Sequence, residues 1–200
     1  MGVSVSRAKV RILGTKLSNE GPLLITHWGM SGPAILKLSA WGARTLFEMN
    51  YQFEAEVNWL PDFNEEKLRN QLPNIRSEIG AKKVNKNPFE IPTRLWLYLI
   101  EKAGINEEKR WGDLNKQELN SLIRTLIYDN YPVSGKTTFK EEFVTCGGIS
   151  LKDVNNQTME SKKCPGMYFA GEVLDIDGIT GGFNFQAAWT TGYVAGELGV

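Results

Sequence analysis

The chain has 200 residues, of which 42% are hydrophobic and 23% charged, an ordinary globular composition that excludes fibrous and disordered classes. Lys plus Arg and Asp plus Glu both total 23, so no net field draws in a polyanion, and nucleic acid is not an expected partner. The longest apolar run, Leu95 to Ile100, is far below the ~20 residues a bilayer span needs, and no basic-then-apolar segment opens the chain; a cytoplasmic protein without a membrane partner is expected.

In chain order, the first sixty residues alternate in short apolar runs: Val3-Ser4-Val5, Ala8 to Leu13, Leu23-Leu24-Ile25 and Phe53 to Val57. Breaks are expected at Gly14, Asn19 and Gly21-Pro22. One helix is predicted within this β-rich segment, because Ser31-Gly32-Pro33 offers a cap and a proline pre-set for the first turn.

From Pro61 the period becomes helical. Asn64 is a predicted N-cap with Phe63 and Leu68 as a hydrophobic staple, and Pro73 is expected to break or kink the helix. A second helix follows Ile91-Pro92 and stops near Gly104. A third begins at Asn115, with Glu118 completing a capping box, and carries Leu119, Leu122, Ile123, Leu126 and Ile127 on one face. These three form a predicted bundle at 61–130. It interrupts a β unit made of 1–60 and 131–142.

The last part, 143–200, is different in kind, since half of the 20 glycines lie from Gly147 onward. Met167 to Ala170 reads as a short buried strand, Gly171-Glu172 ends it, and Gly181-Gly182 opens a helix. Glycines at such a junction let the backbone approach a ligand, and the free N–H groups of the helix start favour an electron-rich group. Along that helix Ala188, Gly192, Ala195 and Gly199 make a face of small residues.

The segment Thr158 to Lys162, then Pro165-Gly166-Met167-Tyr168-Phe169-Ala170-Gly171-Glu172-Val173-Leu174-Asp175, Asp177-Gly178 and Gly181-Gly182-Phe183-Asn184-Phe185-Gln186-Ala187-Ala188-Trp189 closely resembles the C-terminal signature of BaiN/RdsA-type bacterial flavoproteins. Thr26-His27-Trp28-Gly29-Met30-Ser31-Gly32-Pro33 and Thr145-Cys146-Gly147-Gly148 resemble two further motifs of that family. The resemblance covers essentially the whole chain. It implies an NAD(P)/FAD-dependent oxidoreductase of the two-dinucleotide-binding class, with a β pseudo-barrel, an inserted all-α bundle and a returning C-terminal segment of a Rossmann domain.

By that match FAD is the cofactor and a nicotinamide nucleotide the electron partner. Gly171 and Glu172 are assigned to the ribityl and pyrophosphate region, and Gly181, Gly182, Phe183 and Asn184 to the isoalloxazine ring; Gly147, Gly148 and Asp177 are further cofactor-binding residues. No catalytic side chain and no metal are implied. The GxGxxG that anchors a dinucleotide occurs nowhere in the chain. The expectation is therefore an incomplete flavin domain that does not hold FAD by itself and self-associates through uncovered apolar surface. The alternative is a non-catalytic substrate-lid or partner-binding module with a purely structural glycine turn.

Other signals read as structure. His27, the only histidine, lies near Ser31, but Pro33 stands where a GxSxG elbow needs its last glycine. Gly135-Lys136-Thr137 imitates a Walker ending with Asn130 in place of its first glycine. Cys146 is read as a packing residue in a buried strand rather than a redox thiol. Glu172, Asp175 and Asp177 lack the further ligands of a metal site.

Overall fold

The computed structural model describes residues 2–136 and 144–197. They divide into two compact units, Met1–Leu38 with Met49–Gly135, and Ser39–Glu48 with Lys136–Val200. The secondary structure mixes α and β elements. No helix among the described residues is long and apolar enough to cross a membrane.

The first unit is built on an open antiparallel sheet of five strands, β1 (Val3–Ile12), β2 (Ser18–Ile25), β3 (Met30–Ser31), β4 (Gln52–Asn58) and β5 (Asp129–Ser134), in the order β3-β2-β1-β4-β5. The two early apolar runs prove to be one strand. Its register against β2 shifts between Val5 and Ala8, and this bulge keeps Val5 buried together with Ala8, Val10 and Ile12 although a strict alternation would have set it on the face opposite to the other three. The breaks expected at Asn19 and Gly21-Pro22 do not occur, since all three residues lie within β2. Gly21 pairs with Ala8 and Leu23 with Val5, so Pro22 falls opposite the bulge, where the ladder asks for no N–H.

The predicted early helix is α1 (Pro33–Glu48). Gly32 precedes it at φ +92°, and a Cβ there would stand 3.0 Å from the Leu24 nitrogen and 3.1 Å from the Pro22 carbonyl. Only glycine lets the chain turn into the helix this close to β2.

Between β4 and β5, which are hydrogen-bonded neighbours from Gln52↔Ser134 to Val57↔Asp129, the chain makes α2 (Glu65–Ile79), α3 (Thr93–Lys102) and α4 (Lys116–Ile127). The pairing of 129–134 with β4 is the return expected after the bundle; the expected continuation over 137–142 lies outside the described residues. Asn64 caps α2 by accepting from the Lys67 N–H at 2.8 Å, and Asn115 and Glu118 form both halves of the capping box of α4.

Pro73 does not break α2, which runs unbroken to Ile79. Pro73 and Arg69, whose carbonyl it frees, are both exposed, so water replaces the lost hydrogen bond, while Leu68 and Leu72 on the opposite face are buried. The core of the bundle is aromatic. Trp96 and Trp111 stack at 5.9 Å, and each indole N–H finds a carbonyl, Val84 at 2.8 Å and Lys86 at 3.2 Å.

Candidate functional site: the glycine-rich C-terminal unit

The second unit has a small core of Val154, Met159 and Leu174, onto which Ile149, Phe169, Ile176, Val194 and Ala195 pack. Two backbone hydrogen bonds, Ile149 N–H to Val173 O at 2.8 Å and Asp175 N–H to Ile149 O at 2.9 Å, lay the segment after Gly147-Gly148 parallel to the one after Gly171-Glu172. Gly148 is what allows it: a Cβ there would meet the Val173 carbonyl oxygen at 2.6 Å and the Leu174 backbone at 2.7 Å.

The expected strand over Met167 to Ala170 is not a strand. Apart from the turn bond from Met167 N–H to Cys164 O, its residues bond on one side, to 159–161, through Ser161 N–H to Met167 O and Phe169 N–H to Met159 O, and Met167 and Tyr168 stay exposed. A buried strand needs a neighbour on each side, and here the second side has none among the described residues.

Gly171 begins a single 3-10 turn, Gly171–Val173, with φ +75° and open space where a Cβ would stand. Its N–H donates to Thr191 Oγ1 at 3.0 Å. Glu172 projects from this turn, exposed and with no ion pair among the described residues, so its carboxylate is available to hydroxyl donors.

The helix expected after Gly181-Gly182 is α5 (Phe183–Gly196). Gly181 (φ +133°) and Gly182 (φ +87°) turn the chain into it, and no side chain caps its first turn. The side-chain amide of Asn184 is engaged at both ends. It accepts from the Gly178 N–H at 2.7 Å and donates to the Gly178 carbonyl at 2.9 Å, clasping the loop that carries Asp177. Asn184→Ala removes both bonds and is expected to speed amide exchange at Gly178 by the equivalent of about 1–3 kcal/mol; unchanged exchange there would mean that the clasp does not hold the loop.

The small-residue face is only partly as expected. The inward side of α5 carries Ala187, Ala188, Thr191, Val194 and Ala195, whereas Gly192 lies on the exposed side and Gly199 is outside the described residues. That exposed side is aromatic, with Phe183, Phe185, Trp189 and Tyr193 at 60–70% exposure and Phe185 stacked on Trp189 at 6.3 Å.

Cys146 is half-buried and is not in a strand. Its thiol is pushed up from the ordinary value, first by its hydrogen bond to Asp177 and then by burial, against the opposing effect of Arg44. It therefore keeps its proton and is a poor nucleophile. Arg44 also holds Asp175 through both carboxylate oxygens, at 2.7 and 2.6 Å. Arg44 and Thr191 were not legible as site residues: Arg44 is 131 positions from Asp175, and no local pattern marks it. Among the described residues no three His, Cys, Asp or Glu side chains gather as a metal-ligand set.

Residues 1–144 match the family model described as HI0933-like protein barrel and H2TH domain. The chain is 32% identical over 175 residues to the ribosomal RNA dihydrouridine synthase of Escherichia coli, covering 88% of this chain and 41% of that protein. It is 31% identical to the protein of the same name from Haemophilus influenzae, covering 96% and 45%, and 28% identical to the 3-dehydro-bile acid delta(4,6)-reductase of Clostridium scindens, covering 98% and 48%. The chain thus spans less than half the length of these curated relatives. With a family model matched over most of its length and its C-terminal glycines arranged around one small unit, this chain belongs to the HI0933-like family, the BaiN/RdsA-type flavoproteins.

Proposed function

We propose that this chain is part of an FAD-dependent reductase that saturates a carbon–carbon double bond conjugated to a carbonyl, in a uracil base of ribosomal RNA. The observation that carries the reading is chemical: the names of all three relatives describe one reaction class. Dihydrouridine differs from uridine by saturation of the C5–C6 bond beside a carbonyl, and a delta(4,6) bile acid with a 3-oxo group carries double bonds conjugated to that oxo group. Both accept hydride at the carbon remote from the carbonyl and a proton next to it. The two relatives of higher identity favour the uracil base, and the steroid is the second reading, favoured by the 98% coverage of this chain. Balanced charge argues against tight, sequence-independent binding of a polyanion but not against local recognition of one base.

The residues present fit a flavin. Backbone is open at Gly147, Gly171 and Gly182, where nothing stands within 4 Å of a would-be Cβ, and the first turn of α5 has no side-chain cap. When bound, the flavin supplies the hydride, with a nicotinamide nucleotide as the source of electrons. Glu172 would accept hydrogen bonds from ribityl or ribose hydroxyls. The N–H groups at Gly181, Gly182 and Phe183 would face the electron-rich edge of the ring and stabilise its reduced form. Gly147 and Gly148 hold the neighbouring segment, and Asp177 and Asn184 fix the loop beside it. We assign 1–60 with 131–142 to the barrel, 61–130 to the inserted bundle and 143–200 to the cofactor domain.

The 200-residue chain alone is expected to purify colourless and, through the aromatic side of α5, heavier than a monomer by light scattering. Produced together with the coding sequence upstream of it, it is expected to be yellow and to convert uridine in ribosomal RNA, read by mass spectrometry as the gain of two hydrogens. A yellow isolated chain would refute the incomplete-site reading. A colourless longer product, or one that oxidises NAD(P)H without reducing either an RNA uridine or a 3-oxo-4-ene steroid, would refute the proposed reaction.

A further inference from the structure

The most exposed large hydrophobic residue described, Trp28 at 81%, belongs to neither the core nor the glycine-rich unit. It stands on the turn that joins β2 to β3, whose pairs Leu24↔Ser31 and Ile25↔Met30 close the hairpin. The turn is tied down rather than loose. Thr26 N–H donates to the Gly29 carbonyl at 2.8 Å, the Thr26 hydroxyl donates to the same oxygen at 3.1 Å, and the Trp28 N–H donates to the Thr26 hydroxyl at 3.3 Å. The backbone under the indole is thus fixed before anything binds, which removes part of the ordering cost of binding.

The surroundings narrow the kind of partner. No Asp or Glu occurs from Gly21 to Leu38, whereas the exposed Lys37 does, and Lys37 has no ion pair among the described residues. A phosphate backbone meets no repulsion from this segment. On the turn itself Thr26, Gly29 and Ser31 are small or polar, and the hairpin adds only the half-buried Met30 and Leu24 at 38% exposure, short of the roughly 800 Å² per side that a protein partner covers. A single flat π-face on a fixed turn, in a segment without carboxylates, matches an unstacked base with its phosphate.

We propose that Trp28 is a stacking platform for an unpaired base of single-stranded RNA, placed on the β2–β3 hairpin to hold the substrate strand. This rests on the reading of the substrate as a base in RNA and extends it to a residue outside the cofactor site.

The test uses the full chain and two ten-nucleotide probes, oligouridylate and the same length of abasic ribose-phosphate. Oligouridylate is expected to quench tryptophan emission, and Trp28→Ala is expected to abolish most of that quenching and weaken binding roughly ten-fold, with Trp28→Phe in between. The abasic strand is expected to bind weakly to wild type and Trp28→Ala alike. Equal binding of oligouridylate by wild type and Trp28→Ala, equal binding of both probes, or no binding at all would overturn the proposal. A Trp28→Ala change in light-scattering mass would overturn it in favour of a contact between copies. A longer, flavin-bound protein that reduces RNA uridine with unaltered KM as Trp28→Ala would sink this inference and leave the proposed reaction standing. Trp28-dependent RNA binding without any reduction would do the reverse.

Discussion

Asp129→Ala is expected to destabilise the protein by about 3–5 kcal/mol, the range for removing one partner of a buried charge network. Asp129 is only 2% exposed and accepts three hydrogen bonds: from the Trp59 indole N–H at 2.8 Å, the Tyr131 hydroxyl at 2.5 Å and the Lys102 ammonium at 2.5 Å. The same ammonium lies 4.1 Å from the centre of the Tyr131 ring. These groups come from α3, from the residue after β4 and from β5, so the carboxylate ties the inserted helices to the sheet at the point where the chain returns to it. Burial, reinforced by the hydrogen bond to Asp129, pushes the Tyr131 hydroxyl far up, so it remains a donor at every working pH.

Lys102, whose side chain is 34% exposed, can regain water once Asp129 is gone. The hydroxyl of Tyr131 and the indole of Trp59, a residue 2% exposed, have less recourse and bear most of the cost. Asp129→Asn preserves the shape and one acceptor oxygen and is expected to lose less, about 1–3 kcal/mol. Urea unfolding monitored by circular dichroism measures both. Midpoints for Asp129→Ala and wild type that coincide would show that the network contributes nothing net.

The helices of the insertion were the most legible part of the chain, because each start is written in a few adjacent residues. Asn64, Ile91-Pro92 and the Asn115/Glu118 pair act through backbone groups no more than three positions away. Pro73 misled because the cost of a proline depends on whether the freed carbonyl can reach water, and exposure is a tertiary fact. The bulge in β1 was hidden for a related reason: two short alternating runs out of phase look like two strands unless the partner strand is known.

In the C-terminal unit the glycines and the α5 start were legible, but Met167 to Ala170 was not, since a strand is defined by neighbours that composition does not supply. The side-chain clasp of Asn184 was not legible either, because only geometry shows that both ends of its amide are spent on Gly178.

The exposed side of α5 could not have been read from the small-residue spacing, because four, three and four positions keep those residues within about 60° of one another on a 3.6-residue helix and say nothing of which edge of that stripe faces outward, where Gly192 lies.

Gly148→Ala is expected to cost about 3–5 kcal/mol within the C-terminal unit, from two sources that both act at one carbon. The first is conformational, since Gly148 has φ +135°, where an L side chain is rarely found. The second is steric. The added Cβ would stand 2.6 Å from the Val173 oxygen, 2.7 Å from the Leu174 carbonyl carbon and 2.8 Å from the Leu174 oxygen. All three are backbone atoms and cannot rotate aside, so the two segments must separate. Separation breaks the hydrogen bonds from Ile149 N–H to Val173 O and from Asp175 N–H to Ile149 O, and it draws Leu174 out of the small core it shares with Val154 and Met159.

Gly147→Ala is the matched control, because Gly147 also has a positive φ, +120°, but open space around the would-be Cβ. It should show only the conformational part, about 1 kcal/mol. The readout is amide exchange at Ile149 and Asp175. Protection at both is expected to be lost in Gly148→Ala and largely kept in Gly147→Ala. If Gly148→Ala kept it too, the two segments would not be as close as 2.6 Å implies, and Gly148 would be a turn residue like its neighbour.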